Sequence, residues 1–279
     1  MRQICKIDIA AFLQGLAEQE RSAATIDKYD RALERFWDWL PKSKTIEKTV
    51  VIQYKEILTE HYAPAGVNTT LAVLNGFFRF MGWYDCIVKP LQIQRKVFSS
   101  ADKELNREEY QKLVQAAKEK EDTRMVLLLQ LMASTGIRVS EIRYVTAEAV
   151  EKKSVCIHLK GKIRTILLPE KLCKKLSKYH KEKGILSGSI FVTRTGRPMD
   201  RKEIWAGMKR LCQRAGVSAQ KVFPHNLRHL FARSFYAVQK DIAKLADLLG
   251  HSSIETTRIY LLSSGQEHRQ ILDRLCLIC

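Results

Sequence analysis

Four short segments in the second half of the chain carry residue types suited to handling a phosphodiester. They are Thr135-Gly136-Ile137-Arg138-Val139-Ser140-Glu141, His225-Asn226-Leu227-Arg228-His229, Leu249-Gly250-His251 and Thr256-Thr257-Arg258-Ile259-Tyr260. Attack on phosphorus builds negative charge on the non-bridging oxygens, and Arg138 and Arg228 offer paired, planar donors to meet it. Tyr260 offers a hydroxyl able to attack. A free phenol has a pKa of ~10, so only about one molecule in a thousand is ionised at neutral pH and a base must help. His225 is the candidate to take the phenolic proton, His251 to donate to a non-bridging oxygen, and a lysine to protonate the departing 5′ oxygen. The set calls for no metal, nucleotide or other cofactor. A lone tyrosine on a helix is ordinarily packing or surface, and a lone histidine at a turn is ordinarily a cap. The joint occurrence of these groups, in this order and with these local contexts, is what is specific.

The local sequence says how such groups would be held. Pro224 predicts a helix start, and on that helix His225 and Arg228, three residues apart, share one face while Leu227, Leu230 and Phe231 turn to the core. Gly250 reads as a helix C-cap after Leu245, Leu248 and Leu249, and Ser252 with Glu255 reads as a capping box for the next helix. His251 is then in a tight turn between two helices, and Tyr260 follows it by nine residues. Residues Asp122–Ser134 form a strongly apolar, buried helix that Thr135-Gly136 breaks just before Arg138. Ser154–Leu159 and Arg164–Leu168 alternate like strands around Lys160-Gly161-Lys162-Ile163 and predict a hairpin, to which Ile190–Thr193 adds a third strand.

At 279 residues the chain exceeds one typical domain of ~100–150 residues. The reading is a helical domain over 1–92, a linker over 93–104 and a second domain over 105–279, mainly α with a small β-hairpin or three-stranded sheet. In the first part, Ile26, Tyr29, Leu33, Phe36 and Leu40 make one apolar stripe ended by Pro41, a second helix spans Thr49–Thr59, and a third starts near Pro64. Asn106, with Glu108 and Glu109 behind it, predicts the first cap of the second domain. Lysine and arginine total 48 against 30 acidic residues, a net charge of +18 spread along the sequence, which favours a polyanion as partner. Lys28, Arg31 and Arg35 on the first domain and Lys162 and Arg164 on the hairpin are the basic positions assigned to DNA contact. The seven scattered cysteines read as reduced thiols, and Cys276 with Cys279 lacks further ligands at zinc spacing. No apolar run approaches the ~20 residues of a membrane span, and the expected location is cytoplasmic. Ile271, Leu272, Leu275 and Leu277 give the C-terminus an apolar stripe that packs at home or docks on a neighbour.

With these segments in view, the chain resembles the tyrosine recombinase (phage integrase) family. The pattern matches at T-G-x-R-x-S-E (Arg138, Glu141), H-x-L-R-H (His225, Arg228, His229), L-G-H (His251) and T-T-x-x-Y (Tyr260), strongly over the second domain and more loosely over the first. The resemblance implies two domains closing as a clamp on double-stranded DNA and a 3′-phosphotyrosyl intermediate that needs no ATP. It also implies two recombination sites, one strand cut per subunit, and a tetramer on DNA joined through its C-terminal helices. It places a catalytic lysine on the hairpin. Lys160 is the first choice and Lys162 the reserve, because Lys160-Gly161-Lys162 is about one residue shorter than the common pattern. Glu141 and His229 are expected to order neighbouring donors and not to touch the phosphate. Leu261-Leu262 replaces the polar residues that often follow the nucleophile. Integration or excision of a mobile element and resolution of dimers both fit. A type IB topoisomerase-like DNA-relaxing enzyme and a non-catalytic DNA-binding protein are the alternatives.

Overall fold

The computed structural model describes residues 2–93, 103–159 and 162–261. These fall into two compact units, divided between Met1–Arg95 and Lys96–Cys279.

The first unit is helical and built around one helix. A two-residue strand, β1 (Arg2–Gln3), pairs antiparallel with β2 (Thr45–Ile46), an addition the helical periodicity did not signal. Between them run α1 (Lys6–Glu18) and α2 (Ala23–Trp39), and after them α3 (Lys48–His61) and α4 (Pro64–Phe80). Helices α1 to α3 each bury one stripe: Ile9, Phe12 and Leu16; Ala32, Leu33 and Phe36; Val51, Tyr54 and Leu58. Helix α4 buries residues around most of its circumference, including Val67, Leu71, Val73, Leu74, Phe77 and Phe78, because the other three pack against it. Two asparagines on α4 hold the exit of the unit. Asn75 exchanges hydrogen bonds with both backbone groups of Val88, and Asn68 does the same with Leu91.

The second unit begins with α5 (Arg107–Glu119), whose N-terminus carries a reciprocal cap: Glu109 N–H donates to the Asn106 side chain at 2.7 Å, and Asn106 N–H donates to the Glu109 carboxylate at 3.0 Å. Helix α6 (Thr123–Thr135) follows, capped by Asp122, with Met125 through Leu129, Leu131 and Met132 all buried. It ends at Gly136 in the left-handed conformation, φ +62°. A Cβ there would lie 2.5 Å from Phe231 Cδ1 and 2.9 Å from Leu249 Cδ2, so close packing as well as φ demands glycine. A 3-10 turn (Val139–Tyr144) and α7 (Ala147–Glu151) lead into β3 (Ser154–Leu159) and β4 (Lys162–Leu167), an antiparallel pair with Ile157 opposite Arg164. The rest is α8 (Glu170–Glu182), α9 (Arg201–Ala215), α10 (Pro224–Gln239), α11 (Ile242–Leu249) and α12 (Ile254–Arg258), then a 3-10 turn over Ile259–Leu261.

Two local expectations change. Ile190–Thr193 is not a third strand: the region makes only isolated bridges, Thr146 with Ser189 and Val192 with Pro198, and the sheet at the hairpin has two strands. Ile190 and Phe191 are buried by the surrounding helices, so their apolar character reflects core packing and not sheet pairing. The cap of α12 is Ser253, whose hydroxyl accepts from Glu255 N–H at 3.3 Å, and not Ser252. Among the described residues no helix is long and apolar enough to cross a membrane, and no cluster of side chains is arranged to hold a metal ion.

Candidate active site

Helix α10 packs against α6, and this contact sets the geometry. Pro224 stands in the first turn of α10, where its missing N–H costs nothing. His225, Arg228 and His229 then recur at helical spacing on one face, while Leu227 is fully buried in the main core.

Arg228 is only 2 % exposed. One terminal nitrogen donates to the carbonyl of Gly136, at the end of α6. The other donates to the Leu249 carbonyl at 2.7 Å, at the end of α11, and to His251 Nε2 at 2.9 Å. Apart from His251, its partners are helix-terminal carbonyls, where the macrodipole favours a cation, and no carboxylate pairs with it among the described residues. Burial, and next the charge of Arg138, lower its pKa to about 10, which leaves it protonated at neutral pH.

Because an arginine can only donate, His251 Nε2 is the acceptor of that bond, and its proton sits on Nδ1 facing Thr257 Oγ1 at 2.9 Å. Burial and the neighbouring Arg228 push the His251 pKa down to about 4. The Tyr260 ring, 5 % exposed, is walled by three imidazoles: His229 edge-on at 4.3 Å between centroids, His225 at 5.5 Å and His251 stacked at 5.6 Å. Its hydroxyl lies 3.5 Å from His225 Nε2. Burial, then Arg228 and Arg138, lower the His225 pKa, so the ring is neutral and its lone pair is available to the phenolic proton. His229 is pushed to about 4 by burial and then by His225.

Behind these groups sits Glu141, 3 % exposed. It accepts from the Arg138 backbone N–H at 2.9 Å and from the Arg138 guanidinium at 2.9 Å. Arg164 Nη1 donates to both of its oxygens, at 3.0 and 2.9 Å. Arg138 keeps 41 % of its side chain exposed, and its second terminal nitrogen reaches toward the Gly250 carbonyl at 3.5 Å. Two guanidiniums, Arg138 and Arg164, therefore share one carboxylate, and the buried Arg228 guanidinium lies near them without one, beside three histidines of lowered pKa. The local excess of positive charge, fixed by packing, is a site for an anion.

The comparisons with known proteins agree with this chemistry. Residues 103–267 match the phage integrase family, and residues 9–83 match the phage integrase N-terminal SAM-like domain. The chain belongs to the phage integrase family. Members of this family, the tyrosine recombinases, are enzymes that cleave and rejoin DNA. Similar curated proteins include the tyrosine recombinase XerA of Thermococcus kodakarensis, 29 % identical over 273 residues and covering 91 % of this chain and 92 % of the relative. The XerD recombinase of Xanthomonas campestris is 29 % identical over 294 residues, covering 95 % and 90 %. Among solved structures, a lambda integrase dimer bound to a COC′ core site matches with a TM-score of 0.73 at 18 % identity, over 92 % of this chain and 94 % of that one. A post-cleavage complex of the XerH recombinase with a palindromic difH substrate gives 0.71 at 19 %, over 93 % and 83 %.

Within this phage integrase fold, Arg138, His225, Arg228, His251 and Tyr260 come together, with Glu141 and His229 packed against them. Arg164 departs from its assignment to DNA contact. Its side chain is 11 % exposed and bonded to Glu141 and to the Leu248 carbonyl, so its charge is turned inward. Lys160 lies outside the described residues, and for Lys162 only the backbone, at the start of β4, is described. The linker and the C-terminal apolar stripe likewise fall largely or wholly outside them. Lys28, Arg31 and Arg35 are exposed on α2, with Arg31 paired to Asp27 at 2.6 Å. Thr257, fully buried and bonded to His251, was not singled out as a site residue. Its position one turn before Tyr260 was the available signal.

Proposed function

We propose that this chain is a site-specific recombinase in which the Tyr260 oxygen attacks the scissile phosphorus of a DNA strand. The new bond is Tyr–O–P on the 3′ side, the P–O5′ bond breaks, and a free 5′ hydroxyl leaves. Attack by a 5′ hydroxyl on the phosphotyrosine reverses the step and joins strands, so no external energy source is required. His225 takes the phenolic proton, Arg138 and Arg228 bind the non-bridging oxygens, and the hairpin lysine, Lys160 with Lys162 as second choice, protonates the 5′ oxygen. His251 serves the same phosphate. With Nε2 accepting from Arg228, it first acts by orienting that guanidinium, and it becomes a donor to the phosphate once that bond is exchanged for substrate and the ring proton moves from Nδ1 to Nε2.

The observation that carries this reading is the excess of buried or half-buried guanidinium over carboxylate, beside a phenol within reach of a neutral imidazole. Double-stranded DNA supplies the anion, and Lys28, Arg31 and Arg35 follow its backbone from α2. Two sites recombine within a tetramer joined through the C-terminal helices, for integration or excision of a mobile element or for resolution of dimers. A lambda integrase tetramer bound to a Holliday junction is among the similar solved structures. The test is capture of covalent protein–DNA adducts from a random duplex pool. Tyr260→Phe is expected to abolish adducts while DNA binding stays within about twofold; adducts formed by the Phe variant overturn Tyr260 as the nucleophile.

A further inference from the structure

Arg164 is the unexpected residue of this site. On β4 the outward positions Ile163, Thr165 and Leu167 are exposed, while Ile166 packs into the core, so the inner face of the strand carries Arg164 next to Ile166. From there one side chain touches three elements. Nη1 holds both oxygens of Glu141, in the 3-10 turn that also fixes Arg138. Nη2 donates to the Leu248 carbonyl at 3.0 Å, at the end of α11. Its aliphatic stem fills the space under Gly250, where a Cβ would lie 2.5 Å from Cδ and 2.6 Å from Nε, next to His251. Arg164 also stands two residues from Lys162 and four from Lys160 along the sequence. Outside the β3–β4 pairing itself, it is the inner-face contact of β4 nearest the tip among the described residues.

We propose that Arg164 is a positioning residue that ties the hairpin to the Arg138 and His251 turns and so fixes where the hairpin lysine meets the departing 5′ oxygen. This rests on the reading of a hairpin lysine as the proton donor. A side chain needed only for packing would weaken every step alike, whereas one that places a proton donor matters only when the leaving group needs a proton.

The test uses a duplex site that the full chain cleaves, made with an ordinary phosphodiester or with sulfur replacing the bridging 5′ oxygen. In the second substrate the Tyr–O–P bond forms and the P–S bond breaks with sulfur leaving as a thiolate, which needs no proton because thiols are far more acidic than alcohols. Arg164→Met keeps the stem and leaves Glu141 paired with Arg138. It is expected to slow cleavage of the ordinary substrate by about 10²-fold or more, the scale of a lost proton donor, and to bring the sulfur substrate within about tenfold of the unsubstituted protein. Lys160→Met, or Lys162→Met if that lysine is the donor, is expected to show the same rescue, and Arg228→Met none. Arg164→Gln, which retains an N–H donor, replaces the Met variant if the latter does not fold, with the same pattern expected. Rescue of a lysine variant without rescue of the Arg164 variant overturns the proposal alone. Rescue of neither lysine variant overturns the proton-donor reading and the proposal with it.

Discussion

Replacing Gly250 by alanine isolates how tightly the site is built. Gly250 and Gly216 both end helices in the left-handed conformation, at φ +62° and +61°. An alanine pays a backbone penalty of about 1 kcal/mol at either position. Nothing lies within 4 Å of a Cβ on Gly216, so the penalty ends there. On Gly250 the new methyl would sit 2.5 Å from Arg164 Cδ, and Arg164 cannot retreat without loosening its bonds to Glu141 and the Leu248 carbonyl. Weakening charged hydrogen bonds of this kind costs about 1.5–3 kcal/mol. The expected total is about 2.5–4 kcal/mol for Gly250→Ala against about 1 kcal/mol for Gly216→Ala. At about 2–4 °C per kcal/mol for a unit of this size, the melting temperatures should drop by roughly 10 °C and by a few degrees. Thermal unfolding of both variants, with adduct formation measured well below either transition, is the assay. Gly250→Ala should also lose adduct formation at temperatures where it is folded, because the displaced side chain adjoins the His251 turn. Equal melting temperatures for the two variants would refute the claim that Arg164 is locked in place.

The histidines predict an acid sensitivity. His229 and His251 have folded-state pKa values near 4 against an ordinary 6.5, so the unfolded chain takes up protons first. Their contribution is complete above about pH 6.5 and is lost as pH falls toward 4, with a slope of up to about 1.4 kcal/mol per pH unit for each ring, less where solvent reaches it. His229→Phe should flatten that slope, read as the urea midpoint against pH; an unchanged slope would show that His229 is not held neutral. In the first unit, Asn75→Ala strips both partners from the buried backbone of Val88 and should cost about 2–4 kcal/mol by urea unfolding. A change under about 0.5 kcal/mol would mean that the 88–91 segment is held by other contacts.

Much of the architecture was legible because it is encoded over three or four residues. The cap at Asn106, Pro224 at the head of α10 and the glycines closing α6 and α11 all stand where their local chemistry puts them, whereas Asp122, read as part of its helix, is the cap just before it. The order of the motifs was legible for the same reason, since each sits at a helix end that its own neighbours mark. Short apolar runs were less decisive. Ile190–Thr193 reads as a strand, yet burial between helices satisfies those side chains equally well.

What the sequence determined by itself was the helices around the motifs, the caps at Asn106, Gly136 and Gly250, and the presence of two arginines, three histidines and a tyrosine in phosphate-handling contexts. What only the tertiary structure decided was which cation faces which partner. Arg164 looked like a surface charge on a hairpin and is bound to a carboxylate 23 residues before it and a carbonyl 84 residues after it. The His251 tautomer follows from a guanidinium 23 residues away. Local patterns report which face of an element is apolar, but a buried charge must find its partner wherever packing brings one near. Folding selects that pairing through desolvation, which acts across the whole chain.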